Sequence, residues 1–187
     1  RRSNLLAALR ESLARLQISR VDLYMIHFPF PPVPLETWMQ ALAEAVEAGL
    51  VRAAGVSNCS PDQMRRAHAA LAARGIPLVS NQVEYSLLRR GAERSGLLDL
   101  CRELGVTLVA YRPILSGLLS GSYTPDRPPS WMPGRKDCLS YLQRIQPLLS
   151  RLVSLAKAYG KTPSQVALNW VICKGALPIP GARDPRH

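Results

Sequence analysis

Hydrophobic and polar positions along the chain switch repeatedly between a helical and an extended period. The opening RRSNLLAALRESLARL places Leu5, Leu6, Leu9, Leu13 and Leu16 at helical spacing, so an amphipathic helix is expected there. The run VDLYMIH, residues 21–27, is nearly all apolar and reads as a buried strand. Leu35 to Gly49 reads as a helix closed by its glycine. Ala53–Asn58 is a second strand. Ser60 then offers an N-cap with Pro61 at the first helical position, and that helix runs to Ala73. Leu78–Val83 is a third strand, Gly91–Leu104 a helix stopped by Gly105, and Val106–Tyr111 a fourth strand. A stretch rich in Pro, Gly and Ser follows, from Pro113 to Arg135. Loops beyond about 15 residues in a compact domain usually serve a function or lack order. Helices over Cys138–Tyr159 and from the Thr162-Pro163 cap to Lys174 lead to a last strand, Leu177–Pro180.

Strands that alternate with helices, and that are apolar almost throughout, predict an α/β fold with parallel strands covered by helices. The candidates are a doubly wound sheet and a (β/α)8 barrel. No GxGxxG follows any strand, which speaks against a dinucleotide-binding doubly wound unit. Polar residues gather just past the strand ends instead: His27, Ser57, Asn58, Gln82, Tyr111, Arg112 and Arg183. That is where a barrel keeps its active site. A whole barrel takes about 250 residues, and this chain has 187. The expectation is one domain over 1–187 forming a partial (β/α)8 barrel, roughly strands four to eight with their helices. A chain that opens at Arg1 with a helix already under way also reads as incomplete, with residues expected upstream. An open part-barrel would bare strand edges and inner apolar faces, so instability or self-association is expected of the chain alone.

Composition narrows the classes. With 47% hydrophobic and 20% charged residues the chain is globular. Lys and Arg number 24 against 13 acidic residues, a formal net charge of +11. Nucleic-acid binding is one reading of that charge and a basic solvated surface is another. The arginines are scattered and no aromatic platform is interleaved with them, so no nucleic-acid partner is expected. A basic mouth would also suit an anionic cofactor. No apolar run reaches the roughly 18 residues of a membrane helix, so no membrane partner is expected. Cys59, Cys101, Cys138 and Cys173 lie far apart, without a CxxC or Cys/His spacing. No metal is expected, and free thiols are. Trp38, Trp131 and Trp170 read as packing residues and His68 as solvated.

Six segments, SLARLQISRVDLYMIHFPFP, EAGLVRAAGVSNCS, SNQVEYSLL, LGVTLVAYRPILSGLLSGSYTP, KTPSQVALNW and LPIPGAR, follow one another along nearly the whole chain. In kind and order they resemble the aldo/keto reductases, and in detail the chloroplast-type members of plants and algae. The resemblance implies an NADPH-dependent reductase of aldehydes or ketones in a barrel fold. The alternative is a non-catalytic binding or regulatory subunit of the same ancestry. It implies a chloroplast location, with the cytoplasm as alternative; the oligomeric state stays open. His27, which alone could be a structural residue at a strand end, matches the active-site histidine and would hydrogen-bond the substrate carbonyl. Ser57 and Asn58 alone read as a turn, and Gln82 as a packed amide. By resemblance the three hold the nicotinamide carboxamide, which needs donors and an acceptor. Tyr111 is either a half-buried aromatic or the ring that stacks on the nicotinamide.

Arg112 departs from the resemblance, because most relatives have Ser there. It either reaches the cofactor pyrophosphate, crowds the site or points to solvent. Pro113, Ile114, Leu115, Ser116, Gly117 and Leu118 match the loop that crosses the pyrophosphate. Pro180, Gly181, Ala182 and Arg183 match the segment that reads the adenosine 2′-phosphate, which implies NADP(H) as cofactor. Arg183 otherwise reads as a surface charge. The family catalyses with Asp, Tyr, Lys and His, and His27 alone has a counterpart here. The resemblance therefore implies that this chain by itself does not turn over substrate. A small carbonyl compound is the expected substrate class, with pyridoxal-like aldehydes one possibility by analogy.

Overall fold

The computed structural model describes residues 2–29, 31–130 and 135–182. In chain order the elements are α1 (Arg2–Leu16), β1 (Val21–Ile26), α2 (Leu35–Glu47), β2 (Val51–Ser57), α3 (Pro61–Ala72), β3 (Leu78–Glu84), α4 (Gly91–Arg94), α5 (Leu97–Glu103), β4 (Thr107–Tyr111), α6 (Arg135–Ala158), α7 (Pro163–Cys173) and β5 (Leu177–Ile179). A 3₁₀ segment, Leu115–Ser120, lies between β4 and α6. The strands follow one another in the sheet as β1-β2-β3-β4-β5, and β1 to β2 and β2 to β3 are parallel. Two compact units make up the chain. The first comprises residues to 83 with 91–109, the second 84–90 with 110 onward.

In the first unit the apolar stripe of α1 does what its spacing requires. Leu9 and Leu13 are buried with Ala45 of α2 and Val51 of β2, and Leu6, Val21, Tyr24 and Leu50 close around them. The link from α2 to β2 shows how each helix hands over to the next strand. Gly49 takes φ +71°, a left-handed conformation that costs a residue without Cβ little. Its N–H donates to Val46 O at 2.9 Å and the Leu50 N–H to Ala45 O at 3.0 Å. This Schellman pair satisfies carbonyls the helix would otherwise leave open and turns Leu50 back toward the core. The same six-residue closure recurs from Ile76 N–H to Leu71 O and from Val106 N–H to Cys101 O. At the other end, the Ser60 side chain accepts from the Gln63 N–H while Gln63 reaches back to the Ser60 N–H, a capping box with Pro61 behind it.

The second unit has a separate core. Leu115, Leu118 and Leu119 of the 3₁₀ segment are buried with Leu142, Ile145, Leu149 and Leu152 of α6 and Ala167 of α7. A second capping box, Thr162 with Gln165, starts α7. Trp170 packs at 5.4 Å from the ring of buried Tyr85, and the cations of Arg90 and Lys174 lie 5.5 and 5.6 Å from its ring centroid. Packing is therefore the role of this tryptophan, as expected.

Four sequence expectations are corrected. β1 is not a buried strand: of its six residues only Ile26 is buried, and Leu23 is 39% exposed. It stands at one end of the strand order, so among the described residues one of its edges has no partner strand. The helix expected over Gly91–Leu104 is broken into α4 and α5 at Ser95-Gly96, where Gly96 takes φ +76°. The long loop after Tyr111 is partly ordered, because three leucines of the 3₁₀ segment are apolar enough to seat it on α6. His68 is half-buried rather than solvated. Trp131 and Arg183 lie outside the described residues.

Candidate functional site

In the first unit three strand ends meet. Ser57 closes β2 and is 1% exposed. A buried hydroxyl needs partners. Its Oγ donates to the Gln82 backbone oxygen at 2.8 Å and accepts from Asn58 Nδ2 at 3.0 Å. The Asn58 main-chain N–H donates to the same Gln82 oxygen, at 2.8 Å. Asn58 Nδ2 also donates to the His27 backbone oxygen at 3.1 Å. Asn58 stands at φ +58°, a left-handed position that asparagine tolerates better than most side chains. That backbone turn lets one amide reach across β2 to the end of β1. His27, Ser57, Asn58 and Gln82 are thus joined in one hydrogen-bonded group, with His27 and Gln82 taking part through their main-chain oxygens.

The imidazole of His27 is exposed and lies 4.7 Å, centroid to centroid, from the Phe28 ring. Beside it opens a cavity of about 370 Å³, bordered by Tyr24, Ile26, His27, Phe28 and Trp38. Beneath the group lies a layer of sulfur. Asn81, fully buried, donates through Nδ2 to Cys59 O at 3.1 Å and to Met64 Sδ at 3.5 Å, and Cys101 Sγ lies 3.7 Å from the same sulfur. Burial pushes the thiols of Cys59 and Cys101 up to about 11. Cys59 therefore stands next to Asn58 as a neutral packing residue, not as a nucleophile.

In the second unit, Tyr111 ends β4 half-buried, and its carbonyl accepts from the Tyr85 N–H at 3.3 Å. Arg112 follows at φ +53° with its side chain exposed. Pro113 is buried and Ile114 half-buried. Leu115, Ser116 and Gly117 take φ +46°, +52° and +91° in succession. Two such non-glycine residues in a row are strained, and strain of this kind collects at functional sites. Leu115 and Leu118 anchor the segment in the core, and Ser116 is exposed. Pro180, Gly181 and Ala182 are exposed beyond β5.

One residue went unread in the sequence. Glu84 closes β3 and receives Arg112 Nη1 at 3.5 Å and Arg89 Nε at 4.0 Å. The signal was present: Glu84 stands two residues after Gln82, so strand alternation puts both on one side of β3.

The family model described as Aldo/keto reductase family matches residues 1–187. The chain belongs to the aldo/keto reductase family. Pyridoxal reductase, chloroplastic, of Arabidopsis thaliana is 41% identical over 185 residues, which take in 96% of this chain and 50% of that protein. An aldo-keto reductase of Schizosaccharomyces pombe, yakc, designated NADP(+), is 37% identical over 189 residues, covering 96% and 54%. Among solved structures, a thermostable aldo-keto reductase in complex with the inhibitor epalrestat superposes on all of this chain and 58% of its own, with a TM-score of 0.78 and 35% identity. The fold is accordingly the α/β, partial-barrel fold of aldo/keto reductases. The chain spans about half the length of the curated relatives it matches.

Proposed function

We propose that this aldo/keto reductase chain binds NADP(H) and belongs to a protein that reduces aldehydes or ketones to alcohols. The observation that carries the reading is the Ser57–Asn58–Gln82–His27 group. The short polar side chains of Ser57 and Asn58 are bonded to each other and to the backbone carbonyls of Gln82 and His27 at adjacent strand ends, next to an exposed imidazole. A carboxamide needs both donors and an acceptor. When bound, the nicotinamide supplies the hydride. The part of the chain is to fix the carboxamide with Ser57, Asn58 and Gln82, so that one ring face is presented, and to offer Tyr111 as a flat apolar surface.

His27 would hydrogen-bond the substrate carbonyl oxygen and stabilise the negative charge that grows there. Pro113 to Leu118 and the exposed Pro180–Ala182 stretch are assigned to the cofactor's phosphates. The name of the yeast relative supports NADP(H), and the name of the Arabidopsis relative supports a chloroplast setting and an aldehyde of the pyridoxal type. By resemblance His27 alone is matched to the family's catalytic set, and binding without turnover is what we propose for this chain alone.

Titrating the chain with NADPH and with NADH, followed by nicotinamide fluorescence, tests the reading. Micromolar binding selective for NADPH, weakened in Asn58→Ala, is the expected outcome. Equal indifference to both nucleotides would remove the cofactor assignment. Steady consumption of NADPH with an aldehyde would remove the proposal of binding without turnover.

A further inference from the structure

We propose that the exposed face shared by α6 and α7, in the second unit, is a docking surface for an anionic lipid membrane. The inference does not depend on the reductase reading. The core of this unit takes one row of α6, namely Leu142, Ile145, Leu149 and Leu152. A second row lies beside it. Arg144, Arg151 and Leu155 recur at helical spacing and so share a side of the helix. Tyr159 extends that row by one turn, because its N–H still donates to Leu155 O at 3.1 Å. All four are exposed. Leu155, Tyr159 and, on α7, Ile172 leave 47%, 73% and 57% of their surface to solvent. With Lys161 they border one groove of about 710 Å³. Apolar side chains gathered at this exposure mark a site of interaction rather than isolated surface residues.

Charge selects the occupant. From Cys138 to Arg183 the sequence contains no aspartate or glutamate. Neither α7 nor α6 beyond its first turn therefore carries a negative side chain to offset Arg144, Arg151 and Lys161. Cations beside an apolar row are the pattern of a helix that lies in a membrane interface. The long stems of Arg and Lys keep the charge among the headgroups while the apolar neighbours enter the acyl boundary. Such a surface needs no helix long enough to span a bilayer, and none of the described helices is. The expectation of no membrane partner rested on spanning length alone and does not reach a surface of this kind. A nucleic acid would use the cations but not Leu155 and Ile172, which offer no flat ring for stacking. A second copy docked by the same face would set cations against cations.

The test floats the full chain with vesicles on a density gradient, so that self-associated protein stays below. The vesicles are phosphatidylcholine alone, or equal parts phosphatidylcholine and phosphatidylglycerol. Protein is expected to rise with the anionic vesicles only, and less of it at high salt. Each Lys or Arg at an anionic surface is worth about a factor of five in partition, so R144Q/R151Q should lower partition about 25-fold. L155S/I172S should lower it at every salt concentration. R52Q/R65Q, an equal loss of charge from exposed arginines of the first unit, should leave it unchanged. Circular dichroism confirms that the variants fold. Failure to float with the anionic vesicles overturns the proposal, and so does equal flotation with the uncharged ones. An equal loss in R52Q/R65Q, or indifference to L155S/I172S, also overturns it, by reducing the effect to the attraction of a basic protein for any polyanion. A single-stranded oligonucleotide that outcompetes the vesicles would assign the cations to nucleic acid and overturn it likewise.

Discussion

At the scale of single residues, the candidate site shows what a linear reading can and cannot reach. His27, Ser57, Asn58 and Gln82 were legible as polar residues at predicted strand ends, and only the family resemblance gave them a joint role. What joins them was not legible. The reach of Asn58 to the His27 carbonyl depends on a positive φ, and the sharing of the Gln82 carbonyl depends on strand pairing. Glu84 was missed for the same cause, since its two arginine partners lie 5 and 28 positions away along the chain. Burial of sulfur leads to a prediction at this scale. The thiols of Cys59 and Cys101 titrate at about 11 in the folded chain, against an ordinary value of 9.0. Below pH 9 both are protonated whether the chain is folded or not. Between pH 9 and 11 only the unfolded chain sheds those protons, so stability falls as pH rises through that window. Denaturant midpoints from pH 8 to 11 should decline, and alanine at both positions should flatten the decline. At pH 8, exposed Cys173 should take up iodoacetamide well before either of them; equal rates would contradict the burial argument.

At the scale of elements, caps and stops were the most readable signals. Ser60-Pro61 and Thr162-Pro163 both start helices through capping boxes, and Gly49, Gly75, Gly105 and Gly175 all follow helix ends in left-handed turns. The failures were local conflicts. Gly96 breaks what the apolar pattern presents as one helix, because its φ of +76° cannot continue an α-helical turn. The 3₁₀ segment was hidden within a composition typical of loops, since its order comes from packing against α6 rather than from propensity. Ser60→Ala and Thr162→Ala should each cost about 1 kcal/mol. Their effects should add, because the caps lie in different units. Urea denaturation of the single and double variants reads this directly. A loss below a few tenths of a kcal/mol at either site would show that the cap is not satisfied in solution as it is here.

At the scale of the molecule, the strand order has two ends, β1 and β5. Both run poorly covered: Leu23 is 39% exposed, Leu177 55% and Ile179 41%. In the second unit Val153, Leu155 and Ile172 add further exposed apolar surface on α6 and α7. Exposed strand edges beside apolar side chains favour association between copies. Sedimentation of the isolated chain should therefore show a mean mass that climbs with concentration. A monomer whose mass is independent of concentration would refute this. Charge of +11 opposes association, so the climb should steepen with added salt. The fold class was legible at this scale because the alternation of strand and helix persists over the whole chain; how far each edge is covered depends on neighbours, which no local pattern encodes.

The glycine-ended helices have a further consequence, for synthesis rather than for stability. Each closure, such as Leu50 to Ala45 or Ile76 to Leu71, spans six consecutive residues and requires nothing further along the chain. The order of strands in the sheet is also the order in which they are made. As the polypeptide leaves the ribosome, each helix can end and aim its successor strand at a neighbour already translated. Among the described strands the sheet lengthens from one advancing margin, each strand lying beside the one made just before it.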